Sequence, residues 1–419
     1  MKLTLAFILF TPALSAEGYF SGRVTKKRTA HYNIQCDVSA AFTREVGMHL
    51  EAIYAEYYRR LRDFGGKIKE RFNVHIYKKK EDYLKLVGPN LAGTAGIYIS
   101  RKKLLAAYVG SMTYEQVLRT VYHEGFHQFT DAFLGGIGHM RPWVSEGMAQ
   151  LFEDATWNKR KFEIGEVPTF RLHVLDRVRK AGKWIRLRDL VEMDHRQWGA
   201  NVRTDRMLAM AEYQESWSVV HFLVYASRGK YRKALINYLR YLNKGEAALV
   251  AFRKAFGTNM TGFESKWNAY VKSLKPSPKF QCRENLSLLG LMLDNAAGTQ
   301  TVPADMSAYK VYIVNLFKTR GLAITPYGRE PISSRSPKAV ESLFRCPIHK
   351  NAAREQSYLL KMDANANNAA GRLKTASIQC LHHGNMTLSV RSVKDEGTGR
   401  YRPVVEETVG KKKQNENPH

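Results

Sequence analysis

Val117-Leu-Arg-Thr-Val-Tyr-His-Glu-Gly-Phe-His-Gln-Phe-Thr-Asp131 carries the pattern H-E-x-x-H at His123–His127. Val117 and Val121 recur at helical spacing, and no proline falls between Tyr114 and Asp131, so the stretch is predicted to be a helix. Residues four apart lie on one helix face, which points the imidazoles of His123 and His127 the same way. Two neutral imidazoles so placed can hold one zinc ion. Glu124 follows the first of them and can act as general base toward a water on the metal. Gly125 costs about 1 kcal/mol relative to alanine in a helix, a cost that points to close packing against that turn.

A hydrolytic zinc needs a third protein ligand and one open position. Glu146 lies beyond a glycine-rich loop (132–142) and near the start of a second helix, Trp143–Asp154, for which Ser145 is a candidate cap. Two antiparallel helices joined by such a loop return Glu146 to the metal. His139 and Glu153 are the alternatives.

Upstream, 31–36 and 72–77 read as strands, and 45–64 and 81–87 as helices. Ile97–Ile99 and Leu104–Val109 form a hairpin directly before the metal helix. An edge strand there can align an extended peptide by main-chain pairing. Downstream the helical patterns cover 170–182, 186–193, 213–227, 231–242, 247–256 and 263–274. Lys275-Pro-Ser-Pro-Lys279 is a linker signal. The expected fold class is α+β: a small mixed sheet with the metal helix, a mostly helical subdomain, and a smaller α+β C-terminal unit. The expected divisions are 1–16, 17–275, a linker at 276–279, a unit at 280–409, and a basic, polar, disordered tail at 410–419.

Met1–Ala16 has the form of a secretory signal: Lys2, then an apolar run from Leu3 to Phe10, then small residues for cleavage after Ser15 or Ala16. The chain is therefore expected to be exported, to the periplasm, the envelope or the medium. No later run is long and apolar enough to cross a bilayer. Cys36, Cys282, Cys346 and Cys380 give an even count in an oxidising compartment, with three pairings open. A Cys/His zinc site around Cys346–His349 and Cys380–His383 matches no strong finger spacing. The net charge of +28 favours anionic partners such as a cell-surface polymer, but the basic residues are scattered and accompany no specific nucleic-acid module.

His123-Glu-Gly-Phe-His127 followed by Trp143-Val-Ser-Glu-Gly-Met-Ala149 resembles the gluzincin clan of zinc peptidases. The second segment is similar to the W-L-N-E-G-F-A stretch of the aminopeptidase N family. The resemblance implies that His123, His127 and Glu146 bind Zn2+ and that Glu124 activates water. His123–Asp131 also resembles the thermolysin-like H-E-x-x-H-x-x-T-D, in which the aspartate orients a zinc-bound histidine, so Asp131 takes that role by analogy.

Residues 31–274 look most like bacterial peptidase-MA-like domains of uncharacterised function, which share a later Y-x-x-x-W-x-x-x-x-F-L helix, here Tyr213, Trp217, Phe222 and Leu223. The resemblance assigns the oxyanion donor to Tyr213, while His221 on the same helix reads as a packed or surface histidine. The G-x-M-E-N segment by which aminopeptidases hold a substrate amine is missing, so aminopeptidase specificity is not implied. The C-terminal third resembles the end of pseudopilin-like proteins, an interaction module stapled by a Cys346–Cys380 disulfide, without that family's N-terminal membrane helix.

The expected function is that of an exported zinc metallopeptidase acting on a peptide or protein. The alternatives are a catalytically silent peptide- or wall-binding protein, and an envelope assembly component that uses its C-terminal module.

Overall fold

A computed structural model describes residues 19–64, 67–110, 112, 114–136, 140–158, 161–298, 305–319, 323–324, 332–333, 337–345, 358–362, 376–380, 386–394 and 401–409. The expected signal (1–16), His139, Cys346, His349, His382, His383 and the 410–419 tail lie outside them. So does the Cys346–Cys380 pairing, through Cys346. Among the described residues no helix is long and apolar enough to cross a membrane.

The fold is α+β. Strands β1 (Thr25–Arg28) and β2 (Tyr32–Cys36) precede helix α1 (Ala40–Leu61). Strand β3 (Phe72–Tyr77), helix α2 (Lys80–Val87) and the hairpin β4 (Gly96–Ile99) and β5 (Leu104–Tyr108) follow. They form one sheet in the order β1-β2-β3-β5-β4, with β2, β3 and β5 parallel and both edge strands antiparallel to their neighbours. Most residues of β3 and every residue of β5 but Tyr108 are buried, as expected for strands covered on both faces. Helix α1 begins at Ala40, five residues before the predicted start. Ser39 caps it, its Oγ accepting the Phe42 N–H at 3.1 Å.

Helix α3 (Tyr114–Leu134) lies on the sheet and against α1. Its buried stripe runs through Val117, Val121, Phe126, Phe129 and Phe133. Gly125 faces Tyr57: a Cβ there would stand 3.3 Å from the phenol oxygen, which donates to the Tyr122 carbonyl at 2.6 Å. This is the packing that the glycine implied.

Helix α4 (Pro142–Glu153) returns antiparallel, covered by α3 and by α8 (Arg206–Tyr225), and every residue except Glu146 is buried. Ser145 does not cap it. Pro142 occupies the first helical turn, where its missing N–H costs nothing, and Arg141 takes the cap position. The small strands β6 (Thr156–Trp157) and β7 (Phe162–Glu163) lead to α5 (Thr169–Lys180), α6 (Leu187–Glu192) and α7 (His195–Thr204). After α8 come α9 (Arg232–Asn243), α10 (Ala248–Phe256) and α11 (Met260–Ser273).

The connection to the C-terminal unit spans 274–277, because Pro278 and Lys279 already belong to α12 (Pro278–Gly298). The predicted 276–279 linker is corrected accordingly: a proline at a helix start is compatible with helix geometry. The connection is also tied down. Ser277 N–H donates to the Val167 carbonyl at 2.9 Å, and Ser277 Oγ accepts the Val167 N–H at 2.8 Å. Beyond it lie α13 (Met306–Thr319), β8 (Ala323–Ile324), β9 (Ile332–Ser333), α14 (Pro337–Ser342) and an antiparallel sheet of β10 (Tyr358–Met362), β11 (Ala376–Cys380), β12 (Met386–Lys394) and β13 (Tyr401–Val409). Their apolar side chains, among them Leu286, Tyr309, Tyr358 and Ile378, form a core separate from the larger one. Arg283 and Ser287 of α12 reach Glu115 on α3, the serine hydroxyl at 2.6 Å.

Candidate metal centre

Because α3 and α4 run antiparallel, the middle of one faces the start of the other, and His123, His127 and Glu146 converge. Their ligand atoms all lie within 4.8 Å of one another. His123 Nε2 is 3.3 Å from Glu146 Oε2, and His127 Nε2 is 3.5 Å from Glu146 Oε1. Ligands bonded at 2.0–2.2 Å in a tetrahedron stand about 3.3–3.6 Å apart, so each imidazole stands at ligand spacing from one of the two carboxylate oxygens. Glu146 Oε2 is buried, and its polar neighbour is the His123 imidazole at 3.3 Å. A buried carboxylate oxygen is costly, and a cation between the three groups would satisfy it. Burial works against charge on Glu146, but the His127 and His123 imidazoles outweigh it and hold the carboxyl well below its usual range. The residues fit a zinc ion.

Each histidine is held from behind. His123 Nδ1 lies 3.2 Å from Glu153 Oε2, and His127 Nδ1 lies 3.2 Å from Ser145 Oγ. The Glu153 carboxylate can only accept, which puts the proton of His123 on Nδ1 and leaves its Nε2 lone pair facing inward, whereas the Ser145 hydroxyl can donate to or accept from His127 Nδ1. Glu153, an alternative for the third ligand, thus serves His123 from outside the cluster. It follows Glu146 by two helical turns, a spacing visible in the sequence. Ser145 was legible only as a cap. Asp131 does not orient either histidine: its Oδ2 accepts the Tyr98 hydroxyl at 2.5 Å, tying α3 to β4. The thermolysin-like role assigned to it is corrected, since Ser145 occupies the position behind His127.

Glu124 is half-buried, and its Oε2 accepts the main-chain N–H of Tyr98 at 2.8 Å. Among the described residues strand β4 is an edge of the sheet. The Tyr108 N–H donates to Ala95 at 3.3 Å and Tyr98 is opposite Leu105, so alternation turns the main-chain groups of Gly96 and Tyr98 outward. A Cβ on Gly96 would stand 2.5 Å from Thr120 Cγ2, so only glycine lets the strand lie this close to α3.

Tyr213, on α8, lies within electrostatic reach of Glu146 and Glu124. Its ring packs edge-on against Trp198, with centroids 5.1 Å apart. The negative charge of Glu146 and then burial push its phenol well above the usual range, so it stays a hydrogen-bond donor. His221 belongs to the core: Nδ1 is 2.8 Å from the Tyr270 hydroxyl, Nε2 is 3.0 Å from the Gly165 carbonyl, and burial lowers its pKa to about 4.

Residues 117–246 match a family model described as "Protein of unknown function (DUF1570)". The matched region begins in α3, takes in α4 and α8, and so contains all three converging residues, Glu124 and Tyr213. No curated protein matches the chain.

Proposed function

We propose that this protein is an exported zinc-dependent metallopeptidase. The observation that carries the reading is the convergence of His123, His127 and the Glu146 carboxylate, their ligand atoms all within 4.8 Å of one another, with Glu124 next in the chain to His123. A zinc ion bound there would act as a Lewis acid on a scissile carbonyl and would lower the pKa of a water. Glu124, anchored through one oxygen by the Tyr98 amide, uses its other oxygen to take the proton of the attacking water and to deliver it to the leaving amine. The Tyr213 phenol donates a hydrogen bond to the developing oxyanion. The outward main chain of β4 aligns an extended peptide beside Glu124. The C-terminal unit serves as an interaction module, and the basic surface favours anionic surroundings such as a cell-surface polymer.

The test is zinc content per chain together with cleavage of a peptide library by wild type and Glu124→Gln. One zinc in both proteins, with cleavage lost only in the variant, is expected. A chain without zinc, or equal cleavage by both, refutes the proposal.

A further inference from the structure

Arg171, in the first turn of α5, is 1% exposed. Taking a guanidinium out of water costs several kcal/mol unless its donors are met. Here they are met by two helices. Nε donates to Asp154 Oδ2 at 2.5 Å. Nη1 donates to Gln150 Oε1 at 2.5 Å and to Gln214 Oε1 at 3.0 Å. Nη2 donates to the Gln150 carbonyl at 3.3 Å and to Glu153 Oε2 at 3.4 Å. The guanidinium also lies 5.2 Å from the centroid of Trp217.

Two of these contacts lead to the metal centre. Glu153 Oε2 is the same atom that faces His123 Nδ1, so one carboxylate oxygen is shared by the guanidinium and the imidazole. Gln150, held through its Oε1, directs its Nε2 to the Tyr213 carbonyl at 2.7 Å and to the Glu146 carbonyl at 3.3 Å. The guanidinium is therefore one residue removed from His123, from Glu146 and from Tyr213, while touching none of them.

We propose that Arg171 is a positioning residue of this site, holding Glu153 against His123 Nδ1 and α8 against α4; the inference rests on the zinc-site reading above. As a stabilising device alone such an arrangement is poor, because buried ion pairs are often matched or bettered by apolar packing. Its distinguishing property is geometric. A planar fork fixes acceptors on several residues in one plane, a geometry that an ammonium reproduces only in part and a thioether not at all.

The test uses the full chain and zinc alone. Zinc dissociation constants are measured by competition with a chromophoric chelator for wild type, Arg171→Met, Arg171→Lys, Glu153→Gln and the Arg171→Met/Glu153→Gln double variant. Cobalt-substituted absorption spectra report ligand geometry, and circular dichroism reports folding. Arg171→Met is expected to bind zinc about 10–100-fold more weakly and to shift the cobalt spectrum. Arg171→Lys should recover part of the loss, and the double variant should lose little beyond Glu153→Gln. A folded Arg171→Met with wild-type affinity and spectrum overturns the proposal, as does a fully additive double variant. Should Arg171→Met fail to fold, Glu153→Gln decides, because unchanged zinc affinity there removes the route through Glu153. Failure of wild type to bind zinc would refute the site itself, and is read from the unmutated chain.

Discussion

Replacing Gly147 by alanine tests the geometry that presents Glu146. An added Cβ would stand 2.4 Å from the Ser216 carbonyl oxygen, 2.8 Å from its carbon and 2.6 Å from Val220 Cγ2. Ordinary contact begins near 3.4 Å, so α4 and α8 must separate by about 1 Å along that line. The carbonyl belongs to the backbone of α8 and cannot swing aside as a side chain would. Glycine to alanine within a helix otherwise gains about 1 kcal/mol, and overpacking a core costs about 1–3 kcal/mol, so with a backbone obstacle the net destabilisation is set at ~2 kcal/mol. Glu146 adjoins the substitution. Metal–ligand bonds tolerate only about 0.2 Å, so a 1 Å displacement should weaken zinc at least about tenfold. Urea unfolding and chelator competition measure the two effects. Gly125→Ala is the milder comparison, because its new Cβ would meet side chains rather than backbone: the Tyr57 hydroxyl at 3.3 Å, and Tyr57 Cε2 and Leu105 Cδ1 at 3.8 Å. A Gly147→Ala protein as stable as wild type, or more so, with unchanged zinc affinity would refute the close helix approach.

Tyr213→Phe should retain zinc and lower kcat by about 10²–10³-fold with little change in KM, as expected for a donor used in the transition state; equal kcat in steady-state assays would remove it from the mechanism. Ser145→Ala should weaken zinc by about tenfold without loss of fold, checked by the same competition assay. Glu215 is fully buried in α8, accepts the Ile185 N–H at 3.1 and 3.2 Å, and is pushed by burial from 4.5 up to about 9. The folded chain thus keeps a proton that the unfolded chain releases above 4.5, so this group's contribution to stability declines as pH rises from about 4.5 to 9. Glu215→Gln should therefore gain on the order of 4 kcal/mol relative to wild type between pH 5 and pH 8 in urea unfolding, and an equal offset at both pH values would contradict the assignment.

How far the sequence reached depended on whether a residue's role is local. The metal helix, its partner and the hairpin were legible because their apolar periods are strong. The convergence of Glu146 with the two histidines was legible because antiparallel helices return the start of one to the middle of the other. Helix α7 escaped notice: Trp198 is its only buried residue, so it has an anchor but no stripe. Helix α8 starts seven residues before the predicted 213, although Asp205 carries a visible cap signal and accepts the N–H groups of Met207 and Leu208 at 2.9 Å. Asp131 misled because its spacing matches a familiar pattern, while its partner, Tyr98, comes from a distant strand. Arg171 had no signal at all. It stands in a helix whose Arg177, Arg179 and Lys180 read as a basic surface, and only the packing of α4, α5 and α8 distinguishes it.

The bond from the Tyr98 amide to Glu124 has a consequence for which changes this protein can tolerate. Its donor is main chain, so no ordinary side-chain replacement at position 98, proline apart, deletes it. What it depends on is counting. Slipping β4 by one residue against β5 would turn that amide inward and offer Glu124 the wrong face of the strand. The count is kept by the short connection from Ile99 to Leu104, closed by the Lys103 N–H donating to the Ser100 carbonyl at 3.0 Å, with Lys103 in the left-handed region at φ 46°. Substitutions in that turn that accept the positive φ of Lys103 should pass, while single-residue insertions or deletions should part Glu124 from its amide. The turn is a length gauge for the Glu124 carboxylate.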